Sequence, residues 1–224
     1  MAGLFFMKVA IPYKYYPGPE LKYCLRGIEQ FIEDPEVIII GDKTNFKTEF
    51  IQFKDHPEIQ LKERNVFQKL LLVQDDFLFF NDDFFLLKPL TKDYHYSGTI
   101  LQQKESYPIT NNFRKILQNT FNLYGDIHNY FRHGPIYIER EKLESLTKLD
   151  WNLPWGYCTK SIYCHVNNIE GKEYPDLKIR VPLQTNAIVN LIKDRPYFST
   201  GDRAINQAMI NALETLYPNK SKFE

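Results

Sequence analysis

Residues 37–42 read Val37-Ile38-Ile39-Ile40-Gly41-Asp42, a continuous apolar run that ends in a glycine and an acidic residue. Uninterrupted β-branched runs of this length are typical of strands buried on both faces, as in a parallel sheet covered by helices. Two comparable runs flank it, Lys8-Val9-Ala10-Ile11 on the N-terminal side and Phe77-Leu78-Phe79-Phe80 on the C-terminal side. The three runs predict three buried strands of one parallel sheet.

Helical periodicity fills the segments between these strands. Leu21, Leu25, Ile28 and Ile32 recur at helical spacing before the second strand, and residues 64–73 show the same pattern before the third. This β-α-β-α-β succession predicts right-handed crossovers and a doubly wound α/β fold.

The second half of the chain is less regular. The predicted elements there are a helix over 113–124, a strand over 136–138, a helix over 140–148 and a last helix over 205–216, capped near Ser199-Thr200. Residues 151–182 are rich in Trp, Tyr, Asn, Gly and Pro and are predicted to form loops with short strands. No linker-like segment separates the halves, so we predict a single domain over residues 1–224.

Composition excludes several classes of protein. The chain has 224 residues, of which 43% are hydrophobic and 15% aromatic, too many for a disordered chain. Its 28 basic and 28 acidic side chains cancel, which argues against nucleic-acid binding by bulk electrostatics, and no apolar run approaches a membrane span. The odd cysteines Cys24, Cys158 and Cys164 lack a CxxC pair and indicate a reduced, cytoplasmic setting.

Two acidic pairs flank the aromatic strand, Asp75-Asp76 before it and Asp82-Asp83 after it. An extended strand of five or six residues separates them by roughly 17–20 Å, so they cannot share one site. Ligands of open α/β sheets bind outside the carboxyl ends of the strands, where only the second pair lies. Carboxylates buried there favour Mg²⁺ or Mn²⁺ as a partner. The alternative is a turn in which Asn81 and Asp82 cap backbone groups. Asp75-Asp76 is predicted to be a solvated turn.

These residues carry a resemblance to a family. Residues 19–28, 37–42 and 79–85 (Phe79-Phe80-Asn81-Asp82-Asp83-Phe84-Phe85) resemble the nucleotide-binding half of GT-A glycosyltransferases. They are similar to the conserved block of Stealth-type capsular polysaccharide sugar-phosphate transferases and to short phage or bacterial glycosyltransferases. The resemblance covers about residues 7–90; later, only patches such as 133–135 and 199–202 match.

The resemblance implies a GT-A-like (Rossmann-like), mainly parallel sheet flanked by helices, with an elaborated, loop-rich C-terminal part. Residues 7–90 would bind the nucleotide sugar and residues 91–224 the acceptor. The implied activity is that of a metal-dependent hexosyltransferase that moves a sugar from a nucleotide diphosphate sugar, a UDP-sugar being favoured, to an acceptor hydroxyl. The implied cofactor is Mn²⁺ or Mg²⁺. The oligomeric state is left open.

The resemblance also assigns residues. Asp83 is implied as the metal ligand with Asp82 second, although Asn81 stands where the family's aspartate–any–aspartate triplet has its first aspartate. The nucleotide-binding residues it implies are Ile11, Pro12, Tyr13, Asp42, Lys43, Asn81 and Asp82.

Other candidates come with ordinary structural alternatives. Asn65 and Lys69 share a helix face and could meet ribose or base and phosphate, or they could form a solvated face. His165 could supply a second metal ligand and His133 could bind the acceptor, or each could be an ordinary hydrogen-bonded histidine.

An inverting transferase needs a carboxylate base to deprotonate the acceptor hydroxyl. Asp202 and Asp176 are the candidates, although Asp202 could instead complement the dipole of the last helix from its first turn. Trp155 and Tyr157 could form an acceptor platform, because aromatic rings stack on sugars and bases, or they could fill a core.

Three rival functions remain open on the sequence. The first is transfer of a sugar phosphate, which releases a nucleoside monophosphate. The second is glycosylation of hydroxymethylated bases in phage-type DNA through a basic groove near Trp155, supplied by Lys160, Lys172, Lys178 and Arg180. The third is a non-catalytic binding module on the same fold.

Overall fold

The computed structural model describes residues 7–130 and 133–224, which form a mixed α/β fold of eleven strands and eight α-helices. The strands are β1 (Lys8–Tyr13), β2 (Glu36–Gly41), β3 (Glu49–Gln52), β4 (Phe77–Phe79), β5 (Phe84–Leu86), β6 (His95–Thr99), β7 (His128–Tyr130), β8 (Ile136–Ile138), β9 (Lys172–Glu173), β10 (Lys178–Ile179) and β11 (Tyr197–Thr200). The helices are α1 (Glu20–Phe31), α2 (Lys62–Leu70), α3 (Ile100–Glu105), α4 (Asn112–Tyr124), α5 (Arg140–Glu144), α6 (Thr159–Val166), α7 (Thr185–Ile192) and α8 (Gln207–Leu216).

Five strands form the central sheet, in the order β3-β2-β1-β4-β8. β1 runs parallel to both of its neighbours, with Val9 opposite Val37 of β2 and Leu78 of β4. β3 is also parallel to β2, whereas β8 lies antiparallel to β4 at the other edge. The predicted mainly parallel sheet is therefore confirmed.

The β-branched residues of β2 are buried on both faces because helices cover both sides of the sheet. Val37 and Ile39 pack in one apolar cluster with residues of α1. Ile38 and Ile40 pack in a second cluster with residues of α2. Burial of each such side chain contributes about 1.5–3 kcal/mol, so the unbroken apolar run holds two helices against the sheet.

The second half of the chain adds two three-stranded sheets, β10-β11-β5 and β7-β6-β9. β5 pairs antiparallel with β11, so the chain that leaves β4 joins the C-terminal part directly. The predicted helix over 113–124 and strand over 136–138 are confirmed as α4 and β8, and the predicted helix over 140–148 is α5 followed by a 3-10 turn.

Three helices in the second half were not predicted, and the first of them along the chain is α3. The predicted loop region 151–182 contains α6, which forms because Ile162, Tyr163 and Cys164 are buried in the cluster that covers one face of the sheet. α7 follows it and buries Ile188 and Ile192. No helix in the described ranges is long and apolar enough to cross a membrane.

The predicted cap of the last helix is wrong. The side chain of Asn206 accepts a hydrogen bond from the backbone N–H of Met209 at 2.9 Å and so begins α8. Ser199 and Thr200 are buried in β11 instead. Asp202 lies in a separate 3-10 turn ahead of α8, so it does not complement the dipole of that helix from its first turn.

The C-terminus is fixed to α1 by a charged pair. Arg26 is only 8% exposed, and its guanidinium donates to both carboxylate oxygens of Glu224, at 2.6 and 2.9 Å, and to the carbonyl of Tyr217 at 3.0 Å. These contacts hold the pKa of Glu224 at about 2. Arg26 is therefore a structural residue.

We expect Glu224→Gln to lower the free energy of unfolding by about 1–3 kcal/mol at neutral pH, because it removes a charge-assisted pair. The pKa of Glu224 is depressed in the folded state, so this stabilisation is present above an ordinary glutamate pKa of about 4.5 and is lost as the pH falls towards about 2. Denaturant unfolding at several pH values measures it. The exposed Asp194→Asn serves as the control, and a wild-type advantage that persists at about pH 2 would contradict the assignment.

Candidate active site at the carboxyl edge of the sheet

The acidic pair after β4 lies in a tight turn that is pinned from both sides. Phe80 and Phe84 are fully buried and contact each other edge to face, with ring centroids 5.6 Å apart. The backbone N–H of Phe84 donates to the carbonyl of Asn81 at 3.2 Å, which closes the turn. The aromatic flanks thus hold Asn81, Asp82 and Asp83 at the carboxyl end of the strand.

This turn faces a polar cavity of about 360 Å³, called here the acidic cavity. Tyr13, at the end of β1, lines the same cavity, which therefore lies outside the carboxyl ends of two adjacent parallel strands. Both signs of charge line it. The acidic residues are Glu20, Asp82, Asp83 and Asp202, and the basic residues are Lys62, Lys178 and Arg180.

The two aspartates of the turn differ in environment. Burial, then the adjacent Asp83 and, more weakly, Glu20 raise the pKa of Asp82 to about 7. Asp83 is paired through Oδ2 with the ammonium of Lys178 at 2.8 Å. Its other oxygen, Oδ1, is buried and has no hydrogen-bond partner within the described part of the chain. The turn therefore holds carboxylate charge that the protein only partly neutralises.

Such a donor set suits a divalent cation held jointly with a phosphate ligand. Within residues 7–130 and 133–224, no three His, Cys, Asp or Glu side chains are placed to hold a metal by themselves. Mg²⁺ is commonly bound by one or two carboxylates together with waters and substrate phosphates, so Asp82 and Asp83 suffice as protein ligands. The oxygen Oδ1 of Asp83, which has no hydrogen-bond partner within the described residues, could serve as one such ligand.

A second cavity, of about 340 Å³, adjoins the first and is called here the histidine cavity. His133, Lys178 and Arg180 line both cavities. The ring nitrogen Nδ1 of His133 lies 2.7 Å from Oδ2 of Asp176, which lines the histidine cavity only.

The residues assigned to the nucleotide lie at the ends of β1 and β2. Ile11 is fully buried in the core, Pro12 is half-buried, and Tyr13 lines the acidic cavity. Asp42 is exposed beyond β2 and accepts a hydrogen bond from the backbone N–H of Tyr15 at 2.8 Å. Lys43, next to it, is exposed.

Asn65 and Lys69 share the predicted helix face, but that face is neither solvated nor part of the cavities. The amide of Asn65 bonds to the backbone N–H and carbonyl of His56 at 3.0 and 3.1 Å. The ammonium of Lys69 is buried, pairs with Asp55 at 2.9 Å and donates to the carbonyl of Tyr13 at 3.0 Å. Lys69 thus supports the end of β1 from beneath.

The structure does not bring the other aromatic and histidine candidates to the acidic or the histidine cavity. His165 is exposed on α6, where its ring contacts Tyr124. Tyr157 is buried in the core, and Trp155 is half-buried, with the Lys115 ammonium 4.6 Å from its ring centre. Within the described ranges, His133, Asp176 and Asp202 are the catalytic and acceptor-binding candidates from the second half that line either cavity.

The basic groove considered for DNA does not form near Trp155. Lys160 is buried and donates to the carbonyl of Gly134, and Lys172 pairs with Asp93 on the surface. Lys178 and Arg180 face the acidic cavity. The four basic side chains expected to form one groove therefore lie in three different parts of the structure.

Sequence reasoning missed several residues of the site. Glu20 and Lys62 carried no motif of their own, although each begins a helix that follows a strand or loop at this edge. The position of Lys178 depends on β10 pairing with β11, which brings it to Asp83 across 95 residues of sequence.

Comparison with known proteins gives distant likenesses. No protein-family model and no curated protein matches the chain. A glycosyltransferase involved in the glycosylation of the major capsid of PBCV-1 aligns over 95% of this chain and 99% of its own, with 12% identity and a TM-score of 0.43. The glycosyltransferase GlyE of Streptococcus pneumoniae TIGR4 aligns over 90% of this chain, with 9% identity and TM-scores of 0.42 and, in the apo form, 0.40. The chain spans 55% of GlyE, about half its length.

We expect Asp82→Asn to stabilise the ligand-free protein. The pKa of Asp82 is raised in the folded state, so the folded protein binds its proton more tightly and loses stability as the pH rises from about 4 to about 7. An amide carries no charge to bury, so the variant should gain on the order of 2 kcal/mol at about pH 8 and nothing near pH 4.

Denaturant unfolding at the two pH values measures this difference. Asp75→Asn, at the exposed opposite end of β4, is the matched control and should show no gain. A loss of stability in Asp82→Asn at the higher pH would show that the carboxylate is stabilised, not strained, in this turn.

Proposed function

We propose that the protein is a glycosyltransferase that moves a sugar from a nucleotide diphosphate sugar to an acceptor hydroxyl and uses a divalent cation. One observation carries the proposal: Asp82 and Asp83 follow β4 into the same polar cavity that the end of β1 lines, beside Lys178 and Arg180. A pair of carboxylates suits a cation, and the adjoining basic side chains suit a diphosphate. The resemblance of residues 7–90 to the GT-A family supports the same conclusion.

The acidic residues of the acidic cavity would bind the cation, and its basic residues would bind the phosphates. Asp83, with Asp82, would hold Mg²⁺ or Mn²⁺, and such a cation supplies neutralisation of the charge that develops on the departing diphosphate. The ammonium of Lys178 lies 2.8 Å from Asp83 Oδ2, and it would bind the phosphate oxygens once the carboxylate gains a cation as its partner. Arg180 and Lys62 add positive charge at the same cavity.

The nucleoside would lie at the ends of β1 and β2. Tyr13 lines the cavity there, and Asp42 fixes the backbone of Tyr15 by the hydrogen bond from its N–H. Tyr15 and Tyr16 are 65% and 50% exposed and offer rings on which a base can stack. UDP-sugars are the donors that the family resemblance favours.

The same cavity would suit two related reactions, which differ in product. Transfer of the sugar alone releases a nucleoside diphosphate, whereas transfer of a sugar phosphate releases a nucleoside monophosphate. In either reaction the acidic cavity would hold both phosphates of the donor, so product analysis separates the two.

Thermal unfolding with UDP, GDP and their sugars, with and without Mn²⁺, tests the proposal. A ligand present at a hundred times its dissociation constant adds about 2.7 kcal/mol to the free energy of unfolding. We expect one nucleotide to stabilise the wild type more strongly with Mn²⁺ than without it. Asp83→Asn should abolish the Mn²⁺-dependent part, because the amide oxygen is a poorer cation ligand than the carboxylate.

Asp75→Asn is the control, since it changes the same residue type at the opposite end of β4 and should respond as the wild type does. Absence of stabilisation by every nucleotide would refute the transferase and favour a non-catalytic binding module. If Mn²⁺ does not increase the stabilisation by a nucleotide, the proposed role of the cation is refuted.

A further inference from the structure

The acidic cavity and the histidine cavity share three side chains, those of His133, Lys178 and Arg180. A group transferred from a donor in one cavity to an acceptor in the other passes this shared wall. Lys178 and Arg180 are cations at neutral pH, and Lys178 is bound to Asp83. His133 is the member of the three whose ordinary pKa lies close to neutrality, so it is the one suited to take up a proton there.

Asp176 fixes the orientation of the His133 ring. The carboxylate oxygen Oδ2 lies 2.7 Å from Nδ1, and the two side chains are 29% and 12% exposed. An ionised carboxylate only accepts hydrogen bonds, so Nδ1 carries the proton of the neutral ring. Nε2 is then the basic nitrogen. A carboxylate that selects the tautomer of a histidine in this way is a recurring feature of general-base catalysis.

The histidine cavity has the composition of a site for a hydroxyl-rich ring. Tyr107 and Phe113 supply aromatic faces, on which the C–H face of a sugar packs. Gln103, Asn129 and Ser97 supply amide and hydroxyl groups that can bind its hydroxyls. This cavity therefore fits a carbohydrate acceptor.

Asp202 is placed less well for an acceptor base. It lines the acidic cavity with Glu20, Asp82 and Asp83, where the donor's diphosphate would lie, and it does not line the histidine cavity. Asp176 lines the histidine cavity but is bound to His133. His133, the partner of that carboxylate, lines both cavities.

We propose, resting on the proposed function, that His133 is the catalytic base of the transfer, that Asp176 is its positioning residue, and that the histidine cavity binds a carbohydrate acceptor. Nε2 of His133 takes the proton of the acceptor hydroxyl while the acceptor oxygen forms a bond to the anomeric carbon. The bond from that carbon to the phosphate oxygen breaks, and the nucleoside diphosphate leaves with its electron pair. This is a single displacement, so the anomeric configuration inverts.

The test uses methanol as the acceptor, because methyl glycosides do not interconvert and record the stereochemistry of transfer. The donor is whichever of UDP-glucose, UDP-galactose, UDP-N-acetylglucosamine and GDP-mannose raises the melting temperature of the wild type. We expect an inverted methyl glycoside and a released nucleoside diphosphate. His133→Gln should lower turnover at neutral pH by about 10²–10⁴-fold, the usual contribution of a general base, while the donor still raises the melting temperature.

His128→Gln is the matched control, because His128 is an exposed histidine stacked on Tyr96 in another sheet. It should turn over at the wild-type rate. Asp176→Asn should slow turnover and also change the pH profile, because the amide no longer holds the proton on Nδ1 and Nε2 loses its basic role. A purely structural role of Asp176 would leave the shape of the pH profile unchanged.

Nitrogen NMR of the His133 ring gives a readout independent of turnover. We expect the tautomer protonated on Nδ1 in the wild type, and a shift of the tautomer population in Asp176→Asn. The His133→Gln spectrum identifies the signal among those of the five histidines.

Several outcomes would overturn the proposal. They are a methyl glycoside of retained configuration, wild-type turnover in His133→Gln, loss of donor stabilisation in His133→Gln, and an Nε2-protonated ring in the wild type. Failure of the proposed function looks different, since no nucleotide sugar would then stabilise even the wild-type protein.

Discussion

Carboxylate charge held at the end of a buried strand is the constraint on which the site depends. β4 is buried on both faces, and Phe80 and Phe84 fix the turn that follows it. Burial of Asp82 and, after it, the charge of the adjacent Asp83 raise the pKa of Asp82 to about 7. The rest of the site supplies positive charge to this turn, from Lys178 in the structure itself and from a cation in the proposed function.

In the proposed function this arrangement would favour binding at the expense of stability. Burial of a charge that is only partly paired costs free energy in the ligand-free protein, and a bound cation or phosphate-bound cation would recover that free energy. The remainder of the fold offsets the cost elsewhere, through the two apolar clusters on either side of the sheet and through the Arg26–Glu224 pair that fixes the C-terminus to α1. Unfavourable charge burial at one site, in a fold whose other residues are well packed and paired, is the pattern expected of a binding site.

The sequence predicts the sheet well because a buried parallel strand has a local signal, a continuous apolar run such as Val37–Ile40 or Phe77–Phe80. It also places Asp82-Asp83 correctly at the carboxyl edge, since strand ends follow from strand runs. Pairing between residues far apart in sequence has no such local signal. The approach of Lys178 to Asp83 and of Asp176 to His133 could therefore not be predicted. Lys69 shows the converse limit: its position on a polar helix face suggested a ligand or solvent, and tertiary packing bound it to Asp55.

In the proposed function, a cation and a nucleoside diphosphate bind jointly at Asp82 and Asp83. Calorimetric titration of Mn²⁺ into the protein, with and without saturating UDP or GDP, measures that coupling directly. We expect the nucleotide to tighten Mn²⁺ binding by roughly 5–150-fold, and Mn²⁺ to tighten nucleotide binding by the same factor. Equal Mn²⁺ affinities with and without every nucleotide would contradict it.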